Sequence, residues 1–131
     1  MHCFIDSLRK SVSYAQAPEV AREKPYNESV DVYSLAIMAW QIFEMDTPFR
    51  GYSIAMHNDL VVEKGGRPRV NQKKWGDRMC GWLKKAWSTN IPDRPTSKDC
   101  TKVLRDEINL LQDDIEDFSQ IDASSRTANS A

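Results

Sequence analysis

The chain contains 131 residues, of which 40% are hydrophobic and 28% are charged, and this composition is typical of one soluble globular domain. Lys and Arg number 18 and Asp and Glu number 19, so the formal net charge of −1 does not indicate a nucleic-acid-binding protein. The sequence has no apolar run of about 18 residues, which excludes a membrane span.

The cysteines and the first residues indicate a reducing compartment. Cys3, Cys80 and Cys100 are odd in number and far apart, which is typical of free thiols rather than of a disulfide framework. Residues 1–6 lack the basic start and the long apolar stretch of a signal peptide. We therefore expect a cytoplasmic protein.

The first part of the chain predicts a loop, a helical turn and one long helix. Residues 1–16 are polar and irregular, and a helical turn begins at residues 17–20, where Pro costs little. The segment from Ser29 to about Met45 predicts a helix with Ser29 as its N-cap and Asp31 in its first turn. This helix is apolar on every side, which predicts a central position covered all round.

Shorter segments complete the helical pattern. Residues 53–64 predict a weaker helix, and residues 77–87 predict a third helix with one buried face. Thr96 and Asp99 resemble a capping box at the start of a last helix. No segment shows the alternation of a strand.

The last helix is clearly predicted only in its first half. Its apolar residues recur at helical spacing: they are Cys100, Leu104, Ile108, Leu111, Ile115 and Phe118. Acidic residues weaken the pattern beyond Leu111, and residues 119–131 have the polar composition of a disordered tail. The predicted division is a loop (1–16), a helical domain (17–112), and an acidic helix end with a disordered tail (113–131).

A basic stretch interrupts the otherwise mixed charge. Eight basic residues between 64 and 85 are opposed by Asp77 alone: Lys64, Arg67, Arg69, Lys73, Lys74, Arg78, Lys84 and Lys85. Such a stretch is either a solvated face or a docking surface for phosphate or an acidic peptide. No interleaved aromatic pattern accompanies it, so it does not predict single-stranded nucleic acid as a partner.

Four short motifs follow one another along the chain. The first is Ala17-Pro18-Glu19, and the second is Asp31-Val32-Tyr33-Ser34-Leu35-Ala36, at the start of the long helix. The third is the pair Thr47-Pro48-Phe49 and Gly66-Arg67-Pro68, in the loops after two helices. The fourth runs from Trp87 to Arg94-Pro95-Thr96. Each motif alone is weak, but the four in this order and spacing are specific together.

In this order the motifs resemble the second half of the C-lobe of a protein kinase, over roughly residues 14–110. Tyr33, Trp40 and the motif that begins at Trp87 resemble the tyrosine-kinase and tyrosine-kinase-like branches. The resemblance implies a mainly α fold, with about four helices round the apolar central helix and no N-lobe. Residues 14–16 depart by one position from the family's Y-M-A-P-E spacing.

The resemblance implies structural roles for four residues. In the family, the Glu of the A-P-E motif pairs with the Arg of the last motif, which implies that Glu19 pairs with Arg94 here. Asp31 corresponds to the Asp that holds the backbone of the catalytic loop, and Trp87 begins the last motif. Ser7, Ser11, Ser13 and Tyr14 lie where the family's activation segment is phosphorylated. An unmodified polar loop is the alternative for those four.

The motifs that carry phosphoryl transfer are absent from the sequence. The family uses a Gly-rich loop, a strand Lys, a catalytic-loop Asp and Asn, and a metal-binding Asp. Neither His2 nor His57 begins an H-R-D motif, and Asp6-Ser7-Leu8 lacks the Phe and Gly of D-F-G. We therefore assign no catalytic, cofactor-binding or metal-binding residue, and expect ATP and magnesium only in the parent family.

Three interpretations follow. The first is an incomplete kinase, inactive on its own, whose parent activity is ATP-dependent phosphorylation of Ser, Thr or Tyr. The second is a pseudokinase-like, non-enzymatic protein-binding module. The third is an unrelated helical protein with chance motifs, which would be favoured if Glu19 and Arg94 lay far apart. Because the material that covers a kinase's central helix is absent, we expect an exposed apolar surface. Its occupant would be a protein partner or the missing N-terminal portion of the kinase.

Overall fold

A computed structural model describes residues 14–128, and within this range the chain is helical and has no strand. The mainly α prediction is confirmed. The helices are α1 (Pro18–Ala21), α2 (Ser29–Glu44), α3 (Ile54–His57), α4 (Gln72–Ala86) and α5 (Ser97–Ala128). A π-helical turn (Asn58–Glu63) continues α3, and a 3-10 turn (Ile91–Asp93) precedes α5. No helix among these residues is both long enough and apolar enough to cross a lipid bilayer.

Helix α2 lies at the centre of the fold, as its apolar sequence predicts. It contacts both α4 and α5, and those two helices also contact each other. Its largest fully buried side chains are Tyr33 and Ile37. The cover is incomplete, because Met38 and Ile42 on the same helix are 50% and 62% exposed. The expected exposed apolar surface is therefore present on α2.

The start of α2 differs from the sequence prediction. Ser29 was expected as the N-cap, but this assignment is wrong: the Ser29 amide donates to the Asn27 side-chain oxygen at 3.0 Å. Asn is as good a helix cap as Ser, and its position two residues earlier lets it satisfy this amide. The Ser29 hydroxyl is instead buried, with no hydrogen-bond partner in the described part of the chain.

Helix α4 begins five residues before the predicted Asp77. The Asn71 side chain accepts from the Lys74 amide at 3.3 Å and starts a short first segment. Gly76 then interrupts it with φ 72° and ψ 165°. This backbone region is open essentially to glycine alone. The kink buries Trp75 against the core before the second segment begins.

Helix α5 begins at the predicted capping box and runs further than expected. The Asp99 amide donates to the Thr96 hydroxyl at 3.2 Å, and the Thr96 amide donates to the Asp99 carboxylate at 3.2 Å. The helix continues to Ala128, although the composition of residues 119–131 predicts a disordered tail. No Pro or Gly follows Pro95, so no residue in this stretch breaks the helix.

Candidate functional site

The two ends of the domain meet in a buried ion pair between Glu19 and Arg94. Glu19 lies in α1, and Arg94 follows the 3-10 turn, 75 residues later. The two terminal guanidinium nitrogens of Arg94 donate to the two carboxylate oxygens of Glu19 at 2.6 and 2.9 Å. The side chains are 0% and 7% exposed for Arg94 and Glu19. The contact has the bidentate geometry that a planar guanidinium allows.

Arg94 also holds two other segments of the chain. Its Nε donates to the Ser88 carbonyl at 2.9 Å, after the end of α4. One terminal nitrogen donates to the Ser29 carbonyl at 3.2 Å, at the start of α2. One guanidinium therefore fixes α1, the start of α2 and the loop after α4 relative to one another.

The charge of Glu19 is stabilised in place. Burial alone raises the pKa of this carboxyl, but hydrogen bonds from Arg94 and from the backbone outweigh burial. The pKa of Glu19 therefore lies below its ordinary value, and the ion pair is intact at neutral pH.

A second arginine, Arg67, extends this buried network. The Arg67 and Arg94 guanidinium carbons lie 5.0 and 5.3 Å from the centroid of the Tyr33 ring. Both contacts fall within the range of cation–π attraction. Arg67 also donates to the Trp87 carbonyl at 2.7 Å and to the Thr89 hydroxyl at 3.0 Å. It thereby ties the loop after the π-helical turn to the end of α4.

The sequence prediction did not assign a structural role to Arg67 or Tyr33. Both lie inside quoted motifs, Gly66-Arg67-Pro68 and Asp31-Val32-Tyr33-Ser34. In the sequence Arg67 is one of eight basic residues that could form a solvated face. Its contacts with Tyr33, Trp87 and Thr89 show that it is not part of such a face. The basic stretch is also divided by pairing, because Lys64 lies 2.8 Å from Asp59 and Lys74 lies 3.4 Å from Glu44.

Tyr14 lies in a buried aromatic cluster beside this network. Its hydroxyl donates to the Tyr52 carbonyl at 2.6 Å, and its ring centroid lies 5.0 Å from that of His57. Phe49 completes the cluster, 5.1 Å from His57. Burial, and to a smaller extent the charge of Arg67, hold the pKa of His57 below its ordinary value.

The four candidate phosphorylation sites differ in what the structure describes. The Tyr14 side chain is 7% exposed, so a kinase would reach its hydroxyl only after the ring leaves the cluster. Ser7, Ser11 and Ser13 lie outside the described residues. Phosphorylation of these four stays a prediction.

Asp31 and Trp87 occupy contrasting positions. Trp87 is 4% exposed at the end of α4, where its carbonyl accepts from Arg67. Asp31 is exposed in the first turn of α2, and its carboxylate has no partner among residues 14–128. It borders a cleft of about 440 Å³ between α2 and α5, which Met38 and Leu104 also line. Within residues 14–128, no three His, Cys, Asp or Glu side chains cluster as a metal site.

Comparison with known proteins agrees with this arrangement. The family model for protein tyrosine and serine/threonine kinases matches residues 7–104. The chain belongs to this kinase family. The third interpretation, an unrelated helical protein with chance motifs, is therefore wrong, and the proximity of Glu19 and Arg94 agrees with that outcome.

Individual kinases match the chain over most of its length. The serine/threonine/tyrosine-protein kinase HT1 of Arabidopsis thaliana is 34% identical over 88 residues, 67% of this chain and 22% of that kinase. The mitogen-activated protein kinase kinase kinase mom-4 of Caenorhabditis elegans is 32% identical over 110 residues, 82% of this chain and 20% of that kinase. The serine/threonine-protein kinase pakB of Dictyostelium discoideum is 32% identical over 85 residues, 65% of this chain and 10% of that kinase. The chain thus spans about a fifth or less of these curated relatives.

Proposed function

We propose that this chain is the C-terminal half of a kinase C-lobe and serves as a structural scaffold within a larger protein kinase. The activity of that larger protein would be transfer of the γ-phosphate of ATP to Ser, Thr or Tyr hydroxyls. The observation that carries the proposal is the buried bidentate pair of Glu19 and Arg94, which joins the first and last kinase motifs. The match to the kinase family over residues 7–104 supports it.

The proposed role of the chain alone is structural rather than catalytic. Phosphoryl transfer depends on groups that position the phosphates, the metal ions and the nucleophile. None of the corresponding motifs is in the 131 residues. ATP and magnesium would therefore be held by a portion of the kinase outside this sequence, and this chain would be inactive without it. A cytoplasmic location is part of the same proposal.

Asp31 is the residue through which the scaffold would reach the catalytic loop. Its carboxylate is exposed and has no partner among the described residues, although it begins the central helix. An aspartate at this kinase motif holds the backbone of the catalytic loop. The adjoining cleft, lined by Leu35, Met38 and Leu104, offers an apolar surface for the preceding part of the domain.

A reading of the genomic sequence upstream of codon 1 tests the proposal first. We expect an open reading frame that encodes H-R-D and D-F-G motifs and continues into Met1. The chain alone should show no magnesium-dependent binding of ATP by calorimetry, with an active kinase as the positive control. Tight, magnesium-dependent binding by the 131 residues would contradict the proposed inactivity.

The protein that joins the upstream reading frame to these 131 residues, here called the joined protein, provides a sharper test of Asp31. In that protein, Asp31→Ala should abolish kinase activity, because the backbone of the catalytic loop loses the carboxylate that holds it. In the isolated chain, the same change should lower the unfolding free energy by at most about 1 kcal/mol, because exposed Asp31 contributes only through the dipole of α2. A joined protein that keeps full activity with Asp31→Ala would refute the assigned role.

A pseudokinase-like binding module is the second candidate. The observation that favours it is the exposed apolar surface of α2, where Met38 and Ile42 are 50% and 62% exposed. A partner protein could cover that surface in place of the rest of a kinase domain. A promoter and an in-frame stop codon directly upstream of Met1 would support this candidate over the first.

A further inference from the structure

We propose that the second half of α5 is a docking surface for a basic amphipathic helix of a partner protein. The surface consists of four apolar side chains, here called the α5 stripe: Ile108, Leu111, Ile115 and Phe118. Their exposed fractions are 55%, 56%, 68% and 76%. A row of large apolar side chains this exposed indicates a surface that another molecule covers. This inference does not rest on the proposed function.

The spacing of the α5 stripe suits a helical partner. Its members are separated by three, four and three residues, so they lie along one side of the helix for about 15 Å. Ile108 and Ile115 are seven residues apart with Leu111 between them, which is the seam that paired helices use. Leu104 precedes them in the same row and contacts the core, so the stripe begins at the body of the protein.

The kinase domain itself does not account for the α5 stripe. The match to the family ends at residue 104, before the first member of the stripe. Every residue from Ile108 to Thr127 is exposed. In proteins most of the stability of a helix comes from packing of its apolar face, and the exposed part of α5 lacks such packing. A partner that covers the stripe would therefore also stabilise this part of α5.

The charges around the α5 stripe select the chemistry of the partner. Between Arg105 and Asp122, seven side chains are acidic and one is basic. On a helix, Glu107 and Asp114 border one side of the stripe, and Arg105, Gln112 and Ser119 border the other, so one border is acidic. Complementary charge favours a partner helix with Lys or Arg beside its own apolar row.

The same charges disfavour two other occupants. A second copy of the chain would bring two acidic helices together, and like charges at an interface are costly. Helices that lie on lipid surfaces carry Lys and Arg on their polar face, and anionic lipids would repel an acidic one. A basic helix of another protein satisfies both the apolar stripe and its acidic border at Glu107 and Asp114.

Two synthetic peptides of about 18 residues test the proposal with the full chain. Both place Leu at the same coiled-coil positions, and one carries Lys elsewhere while its twin carries Glu. Fluorescence anisotropy of the labelled peptides gives both affinities. We expect the Lys peptide to bind at least about tenfold more tightly, and this advantage to shrink at 1 M salt, where charges are screened within about 3 Å.

Paired variants separate the α5 stripe from the rest of the helix. Ile108→Gln with Ile115→Gln should weaken binding of the Lys peptide at least about tenfold, because two apolar anchors are lost. The control is Leu110→Gln, whose side chain is 49% exposed on the same helix but points away from the stripe by about a third of a turn. The control should bind within about twofold of the natural chain, since it leaves the anchors in place.

Near-ultraviolet circular dichroism verifies that each variant keeps its fold, because all four tryptophans precede α5. Three outcomes would overturn the proposal. The first is equal binding of the two peptides, or none, and the second is an equal loss in the control variant. The third is cover by another occupant: a dimer in sedimentation, or binding to anionic vesicles, that Ile108→Gln with Ile115→Gln abolishes.

Discussion

Replacing Glu19 by Gln tests whether the buried pair with Arg94 holds the domain together. The substitution keeps the size of the side chain and removes its charge. The Arg94 side chain is 0% exposed, so its guanidinium would stay buried with neutral acceptors alone, the Gln amide oxygen and the Ser88 and Ser29 carbonyls, and without a counter-charge. Breaking a buried pair from one side costs about 3–5 kcal/mol. A domain of this size has about 5–15 kcal/mol of stability in total, so the loss is a large fraction of it.

Urea unfolding followed by tryptophan fluorescence measures the loss. The matched control is Asp59→Asn, which removes one charge from an exposed ion pair. The side chains of this pair, Lys64 and Asp59, are 63% and 59% exposed. Exposed pairs of this kind contribute about 0–1 kcal/mol. We therefore expect a large fall in the unfolding free energy for Glu19→Gln and almost none for the control. A variant without any cooperative transition counts as a loss beyond the measurable range.

A double-mutant cycle separates the ion pair from general damage to the core. Glu19→Leu combined with Arg94→Met removes both charges and leaves apolar side chains of similar size. Apolar replacement of a whole buried pair is often neutral or stabilising, so the double variant should be more stable than either single variant. Additive losses, or a Glu19→Gln variant within about 1 kcal/mol of the natural chain, would refute this account of the pair.

The pH dependence of the pair has a definite sign. The pKa of Glu19 is lower in the folded chain than in the unfolded chain, where it lies near its ordinary value. The unfolded state then binds more protons in the window between the two values, so folding stability falls as pH drops through it. The stabilisation by Glu19 is fully present above about pH 4.5, the ordinary value, and is lost towards the folded pKa. Glu19→Gln should flatten the acid limb of a stability–pH curve.

Three further changes have expected outcomes in the same unfolding assay. Gly76→Ala should cost about 1–3 kcal/mol, because its φ of 72° is strained for any other residue, whereas Gly81→Ala in regular helix should stabilise by about 0.5–1 kcal/mol. Equal effects at the two glycines would contradict the kink. His57→Phe should remove a loss of stability as pH falls below about 6.5, since the lowered pKa of buried His57 makes the unfolded state bind more protons there. If His57→Phe leaves the pH dependence of stability unchanged, burial in the aromatic cluster does not lower the pKa of His57. Tyr33→Phe should be neutral or stabilise by up to about 1 kcal/mol, because the buried Tyr33 hydroxyl has no partner within residues 14–128. A marked destabilisation would show that this hydroxyl has a partner.

The sequence predicted the parts of the fold that depend on apolar patterns and on motifs with a physical role. The central position of α2 follows from its unbroken apolar run. The contact of Glu19 with Arg94, 75 residues apart, was implied by the family motifs and not by local pattern. The capping box of Thr96 and Asp99 was predicted because its partners are only three residues apart.

The differences arise where several residues compete for one local role. Asn27 and Ser29 are both good helix caps, and only the path of the chain decides between them. Gly76 allows a kink that no periodicity reveals, so the first segment of α4 was missed. The sequence pattern did not distinguish Arg67 from a surface charge. Its position depends on the Trp87 carbonyl, which is distant in sequence, and on the Val61 carbonyl, which only the intervening turn brings within reach.

The long sequence separation of Glu19 and Arg94 has a consequence for synthesis of the protein. A ribosome adds roughly 5–20 residues per second, so Arg94 is synthesised several seconds after Glu19. During this interval the nascent segment around α1 lacks its ion pair with Arg94 and is accessible to chaperones. Completion of the domain is therefore coupled to the emergence of its last motif from the exit tunnel.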